Sequence, residues 1–296
     1  GDFSNIEGRV NAWLAGEDWK LDAFRAYDDK TGPDMYKRTY AESFNAAIDT
    51  VTKDQRQIGK TQELLSGYQG GVGAYKTTVE KFGIDLYGLA KTVWANADQT
   101  KLEALREKYE KAKYKHGLRE FEWTAVKLLV VSWREAHPAT VQSWWDYQDA
   151  AISAVVNPGE ICDVAHMSDR SCSTPGRVQY LSDKNFLYCR LPSNRVISYA
   201  QPWVETEEVE MERADGTVYV QVRKKLRFWG VDGVTKRWMK QALYGGLLCE
   251  NVVQATARDV MVESMFRVEA AGYPVILTVH DEALTEPDKG FGSVEE

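Results

Sequence analysis

Four cysteines in 296 residues, at Cys162, Cys172, Cys189 and Cys249, form no C-x-x-C pair. That scatter excludes the disulfide framework on which small secreted domains depend and fits a reducing compartment. Long apolar runs are also missing. The best, Ala125–Val131, falls far short of the ~20 residues a membrane helix needs and is interrupted by Lys127. No signal-peptide pattern opens the chain, so a soluble, cytoplasmic protein with no membrane partner is expected. Positive charge is not in excess: 37 Lys and Arg face 44 Asp and Glu, a formal charge of −7. This argues against nucleic-acid binding driven by net charge, but leaves room for a basic cleft in an acidic molecule. Internal repeats, low-complexity tracts and flexible linkers are absent as well. What remains is 44% hydrophobic. A folded chain of this size buries about 75% of its extended surface, enough for one large domain or two smaller ones.

Helical periodicity dominates from about Met35 to Trp145, broken by Gly67, Gly70, Gly71, Gly73 and Pro138. Before it, Ile6, Val10, Trp13 and Leu14 recur at helical spacing. Within it, Lys101–Arg119 is strongly charged and reads as a solvated helix. The character changes near Asn157-Pro158-Gly159. From there to about Phe228, short β-prone runs follow one another: Arg177–Leu181, Arg195–Tyr199 and Val218–Val222, with Asp215-Gly216 as a turn signal between the last two. Helical patterning resumes from Thr235 to about Ala271. The chain then reads as a hairpin, with Tyr273–Val279, a turn at His280-Asp281, and Glu282–Thr285 returning. The sum is a mixed α/β (α+β) chain with a β-rich stretch inside a helical region.

Two features carry chemistry. Asp2 lies where an extended segment meets a helix, and Asp281 at the hairpin tip between His280 and Glu282. Taken alone, an aspartate in a β-turn is usually a solvated turn former. Two carboxylates on adjacent strand ends have another use: holding two divalent cations about 3.5–4 Å apart for in-line phosphoryl transfer. Magnesium favours a few carboxylates plus phosphate oxygens over an all-protein cage, so two aspartates suffice. The second feature runs from about Thr52 to Tyr68, where Arg56, Lys60, Leu64 and Tyr68 recur every four residues and so share a helix face. That face is cationic at one end and aromatic at the other, the layout of a triphosphate followed by a base. By spacing alone the commoner outcome is an amphipathic helix with Leu64 and Tyr68 in a core.

Together these features carry a resemblance. Asp2-Phe3-Ser4-Asn5-Ile6-Glu7-Gly8-Arg9 resembles motif A of the family A (polymerase I-like) DNA polymerases. Arg56-Gln57-Ile58-Gly59-Lys60, with Leu64 and Tyr68-Gln69-Gly70-Gly71, resembles motif B. Val279-His280-Asp281-Glu282 resembles motif C. Between B and C, Glu250–Asp259 is similar to the helix whose glutamine reads the primer–template minor groove, and the order A, B, glutamine helix, C is also the family's. Leu187–Ser193, Tyr244-Gly245-Gly246 and Gly67–Gly71 look more like the bacteriophage and prophage branch than the bacterial repair enzymes. Leu64 stands where many relatives carry an aromatic residue, and Gln69 follows the motif B tyrosine where bacterial members have glycine.

The resemblance implies a polymerase palm with an antiparallel sheet, inserted mostly helical fingers and a β-rich insertion. In this chain the palm would take residues 1–17 and 233–296, the fingers 18–156 with the motif B helix at 52–68, and the insertion 157–232. It implies template-directed addition of deoxynucleotides to a primer 3′-hydroxyl with release of pyrophosphate. Asp2 and Asp281 would hold two Mg2+ ions (Mn2+ being the alternative), with the Phe3 carbonyl as an extra ligand and Glu282 in support. Arg56 and Lys60 would grip the triphosphate, and Lys60 would also protonate the leaving group as the fingers close. Leu64 and Tyr68 would face the incoming base and the template. Glu7 would exclude a ribose 2′-hydroxyl, although an acid in a first helical turn is also favoured by the helix dipole. Gln254 would meet minor-groove acceptors common to all correct pairs, and His280 would position the primer terminus.

Implied partners are primer–template DNA and dNTPs; because the resemblance covers palm and fingers only, the thumb and exonuclease segments either belong to a longer chain from which this one is excised or lie, with replication proteins, on separate polypeptides. Phage origin would put the protein in the host cytoplasm. Without a thumb, poor hold on duplex is expected, since phosphate contacts supply most such affinity. Two rivals follow: a catalytically incomplete nucleic-acid-binding remnant, and a palm-type RNA polymerase, against which Glu7 discriminates. Cys162, His166, Cys172 and Cys189 raise zinc, but C-x3-H-x5-C is irregular and lacks the usual knuckle. Arg223–Lys240, with Phe228, Trp229 and Trp238 interleaved, is a better nucleic-acid candidate than Lys101–Arg119. Trp144 and Trp145 read as core.

Overall fold

A computed structural model describes residues 3–44, 46–81, 83–168, 177–212 and 218–292. Asp2, Cys172 and the Asp215-Gly216 turn signal lie outside the described residues. The helices are α1 (Ile6–Ala15), α2 (Asp18–Asp28), α3 (Met35–Phe44), α4 (Lys53–Ser66), α5 (Val72–Lys81) and α6 (Leu86–Asn96). Then come α7 (Gln99–Arg106), α8 (Glu120–Ala136), α9 (Pro138–Val156), the single turn α10 (Ala165–Ser168) and α11 (Gly245–Ala270). The strands are β1 (Cys162–Asp163), β2 (Gln179–Ser182), β3 (Phe186–Arg190), β4 (Val196–Glu212), β5 (Val218–Val231), β6 (Trp238–Leu243), β7 (Val275–Val279) and β8 (Glu282–Thr285). The chain is mixed α/β, with two compact units. The first comprises Gly1–Val10, Gln148–Leu243 and Glu250–Glu296, the second Asn11–Tyr147 and Tyr244–Cys249.

The second unit is helical. Tyr40, Tyr75, Val93, Leu102, Trp123, Val126 and Leu129 build its core. The apolar run Ala125–Val131 lies within α8, where Ala125, Val126, Leu128, Leu129 and Val130 are buried. The Lys101–Arg119 stretch differs from the single solvated helix expected. Helix α7 stops at Arg106, and turns follow. Leu118 is buried there, and its carbonyl accepts from the Tyr109 hydroxyl at 2.9 Å. Those local anchors divert the backbone from a continuous helix.

The first unit carries an antiparallel sheet in the order β1-β2-β3-β4-β5-β6 and a separate β7-β8 hairpin. One face of the large sheet is apolar, with Tyr180, Leu187, Cys189, Tyr199, Leu226 and Leu243 buried. Burial pushes the Cys189 thiol up to about 12, as befits a core thiol. Side chains from this sheet and its β3–β4 loop hold α11. Asn251 Nδ2 donates to the Tyr199 hydroxyl (3.0 Å), Arg195 Nε to Asp259 Oδ1 (2.7 Å), and Ser193 Oγ to Asp259 Oδ2 (2.6 Å). Helical patterning was expected from Thr235, but Trp238–Leu243 is strand β6, registered against β5 from Val231↔Trp238 to Leu226↔Leu243. Pairing with a long neighbouring strand overrides local periodicity. Trp144 is core as expected, whereas Trp145 is 47% exposed: adjacent helical positions point about 100° apart, so one indole turns in and the next out.

Candidate active site

In the first unit the chain's opening meets the C-terminal hairpin. Phe3 N–H donates to the Asp281 carbonyl at 3.1 Å. The Phe3 carbonyl accepts the Ile6 N–H at 3.1 Å, which begins the turn into α1. His280 and Asp281 form the two-residue turn between β7 and β8, with Val279 paired to Glu282. His280 has φ +52°, a left-handed conformation that histidine adopts more readily than branched residues. Asp281 is partly buried, while His280 and Glu282 are exposed. Among the described residues no three His, Cys, Asp or Glu side chains cluster to hold a metal, which includes the zinc candidates Cys162, His166 and Cys189.

Glu7 occupies the first turn of α1. Its charge reaches Glu250 on α11, whose carboxyl is raised above the ordinary range first by burial and then by Glu7. Gln254 sits one turn on from Glu250, with 3.4 Å between its amide and that carboxylate. Helix α11 buries Leu248, Val252, Val253, Thr256, Ala257 and Met261, so Gln254 and Arg258 fall on the exposed face. Glu250 is the group that reading the sequence missed. Its signal was its position four residues before Gln254, which places both on one helix face.

In the second unit, α4 starts from a capping box. Thr52 Oγ1 accepts the Gln55 N–H (3.3 Å) and Gln55 Oε1 accepts the Thr52 N–H (2.8 Å). Arg56 and Lys60 flank the same ring: the Arg56 guanidinium lies 5.0 Å and Lys60 Nζ 6.0 Å from the centre of Tyr36. Arg56 Nε also donates to Asp34 Oδ2 at 3.1 Å. Leu64, on the same face, is 44% exposed, so it is not the core residue that spacing alone suggested. Tyr68 is not on the helix, which ends at Ser66; it lies in the turn that follows. Gln69 takes φ +65° there, and its Oε1 accepts the Gly246 N–H at 3.0 Å. Glycine adopts that conformation without strain, whereas glutamine here adds a side-chain hydrogen bond.

The flank of α4 beside this face is locked. Glu63 is buried, forms an ion pair with Lys20, and accepts from Thr39 Oγ1 and Trp133 Nε1, both at 2.8 Å. Burial alone would raise its carboxyl, but the charges of Lys20 and His137 and these hydrogen bonds hold it at about 2. Burial and then Lys20 push His137 down to about 4. The Trp133 carbonyl, 2.8 Å from Nδ1, can only accept, so Nδ1 carries the proton and Nε2 faces Lys20 Nζ at 3.3 Å. Gly59 completes the fit: a Cβ there would stand 2.0 Å from the Tyr36 carbonyl oxygen.

No protein-family model matches the chain. It is related to a phage DNA polymerase. Over 291 residues, 98% of the chain, it is 30% identical to the DNA polymerase of Bacillus phage SP02. The chain spans about a third (35%) of that relative's length.

Proposed function

We propose that this chain is the palm and fingers portion of a DNA-directed DNA polymerase of family A type, extending a primer 3′-hydroxyl with dNTPs. Residues 18–156 are the fingers, and the flanking segments at 1–17 and after Leu243 the palm. The β-rich insertion then runs from 157 to Leu243, because β6 shares its sheet. The observation that carries the reading is the hydrogen bond from Phe3 to the Asp281 carbonyl, since Phe3 directly follows Asp2 in sequence. That bond between Phe3, near the start of the chain, and Asp281, near its end, supports pairing the two motifs in one site.

In this reading Asp2 and Asp281 would hold the metal ions, with the Phe3 carbonyl and Glu282 in support. Two Mg2+ ions would supply charge neutralisation at the attacking 3′-oxygen and the departing pyrophosphate. Arg56 binds the triphosphate by exchanging Asp34 for phosphate oxygens, and its planar fork suits either anion. Lys60 places a second cation one turn along and donates a proton to the leaving group. Leu64 and Tyr68 face the nucleobase, Glu7 narrows the space beside the sugar 2′ position, Gln254 contacts the minor groove, and His280 sits at the primer end.

The test is extension of a labelled primer–template by the full chain with Mg2+ and dNTPs, alone and with the remainder of a longer relative added in trans. Wild type should extend the primer in at least one condition, and Asp281→Asn should lower the rate at least ~100-fold. No extension in either condition rejects the enzyme and leaves a nucleic-acid-binding remnant.

A further inference from the structure

The outer face of the six-stranded sheet bears an aromatic and cationic surface that the polymerase reading leaves unused. Cross-strand partners share a face, and so do residues two apart on one strand. Phe186 pairs with Ala200, Ala200 with Trp229, and Trp229 with Lys240. Trp203 pairs with Arg227, two residues before Trp229, and Trp238 is two residues before Lys240. All therefore point away from the buried Tyr199–Leu226 side. Side-chain positions agree: Lys240 Nζ lies 5.4 Å from the Trp203 ring and 6.0 Å from the Trp229 ring, and Phe186 and Tyr188 have centroids 5.9 Å apart. Trp238 is 58% exposed.

Charge selects the occupant. Glu205 on this face is neutralised by Arg227 at 3.0 Å, and Asp183 accepts the backbone N–H groups of Asn185 and Phe186 within its own turn. Among the described residues no carboxylate forms an ion pair with Arg190 or Lys240, which lie at opposite ends of the aromatic row. A polyanion with flat apolar faces complements this surface. Duplex DNA hides its base faces in the stack, whereas a single strand offers them to aromatic rings with phosphates left for the cations.

We propose that the outer face of β3–β6, centred on Trp203, Trp229, Trp238 and Lys240, binds single-stranded DNA by base stacking. The choice of DNA as the nucleic acid rests on the polymerase reading; the surface itself does not. The face serves the unpaired template beyond the primer.

The experiment measures fluorescence anisotropy of a labelled oligo(dT) with the full chain at low salt, in EDTA and without nucleotides, so its outcome is independent of whether primers are extended. Trp238→Ala should weaken binding about 5- to 100-fold, and Trp238→Phe should retain most of it, because a phenyl face still stacks. Lys240→Glu should weaken binding and flatten its salt dependence. Both positions are exposed, so thermal melts should match wild type. Wild-type affinity in both variants overturns the proposal. So does equal affinity for blunt duplex with the same losses, or a wild-type dimer in sedimentation that Trp238→Ala disperses with oligo(dT) affinity unchanged. The last outcome assigns the face to a second copy of the chain.

Discussion

Arg56 and Lys60 share the Tyr36 ring, and among the described residues only Arg56 of the two forms an ion pair with a carboxylate, Asp34. An arginine held by one anion can trade it for another, and a lysine beside it adds charge where a triphosphate would develop more in reaction. Lys60→Ala is therefore expected to lower kcat/KM for dNTPs by roughly 100-fold or more in single-nucleotide primer extension. Near-normal kinetics would remove Lys60 from the site. Gly59 separates the two cations and lets α3 approach α4. In a helix, glycine to alanine ordinarily gains about 1 kcal/mol, but a Cβ placed 2.0 Å from a backbone carbonyl forces the helices apart. Gly59→Ala should destabilise by about 1–3 kcal/mol in denaturant titration, because overpacking outweighs propensity. The sequence showed a glycine inside a helical pattern; the backbone it meets, Tyr36, could not be read from spacing.

At the scale of the element, α4 is amphipathic in an uncommon sense, since its buried side is held by an ion pair as well as by apolar contact. Lys20, Glu63, Thr39, Trp133 and His137 come from four helices and one helix end. His137 takes a proton near pH 4 when folded against about 6.5 when exposed, so between those values the unfolded chain binds more protons. Stability from this group is present above pH 6.5 and is lost as pH falls toward 4, roughly 3 kcal/mol in all. Glu63, depressed from 4.5 to about 2, continues the same trend below pH 4.5. Urea midpoints should therefore fall steadily from pH 7 to pH 4. His137→Gln should flatten the limb between 6.5 and 4.5, and an unchanged limb would mean that His137 is not buried neutral. Periodicity predicted the helix, but it left the cations exposed, whereas Arg56 and Lys60 are half-buried against Tyr36, and it placed Leu64 in a core. A polar cluster buried behind α4 turns the helix so that Leu64 faces outward, and apolar counting is blind to such a cluster.

Taken whole, the molecule carries a net charge of −7, and the cations of the proposed DNA contacts are few: Arg56 and Lys60 on α4, and Arg190 and Lys240 on the outer sheet face. Few phosphate contacts should then support DNA binding, so affinity for primer–template should drop roughly tenfold between 50 and 200 mM salt, far less than for proteins neutralising many phosphates. A steeper loss in a salt titration would point to basic surface elsewhere. The sequence by itself determined the helical stretch, the β-rich stretch beginning near Asn157 and the hairpin at His280-Asp281, because each is governed by local periodicity and turn chemistry. It also carried the likeness that the phage polymerase relative supports. Only the tertiary structure decided that Trp238–Leu243 joins the sheet and that Lys101–Arg119 breaks after Arg106. It alone set Phe3 against Asp281, Glu250 near Glu7, and three tryptophans on one exposed face. Those outcomes depend on hydrogen-bond register and burial between residues far apart in the chain, and neither leaves a trace in the spacing of neighbours.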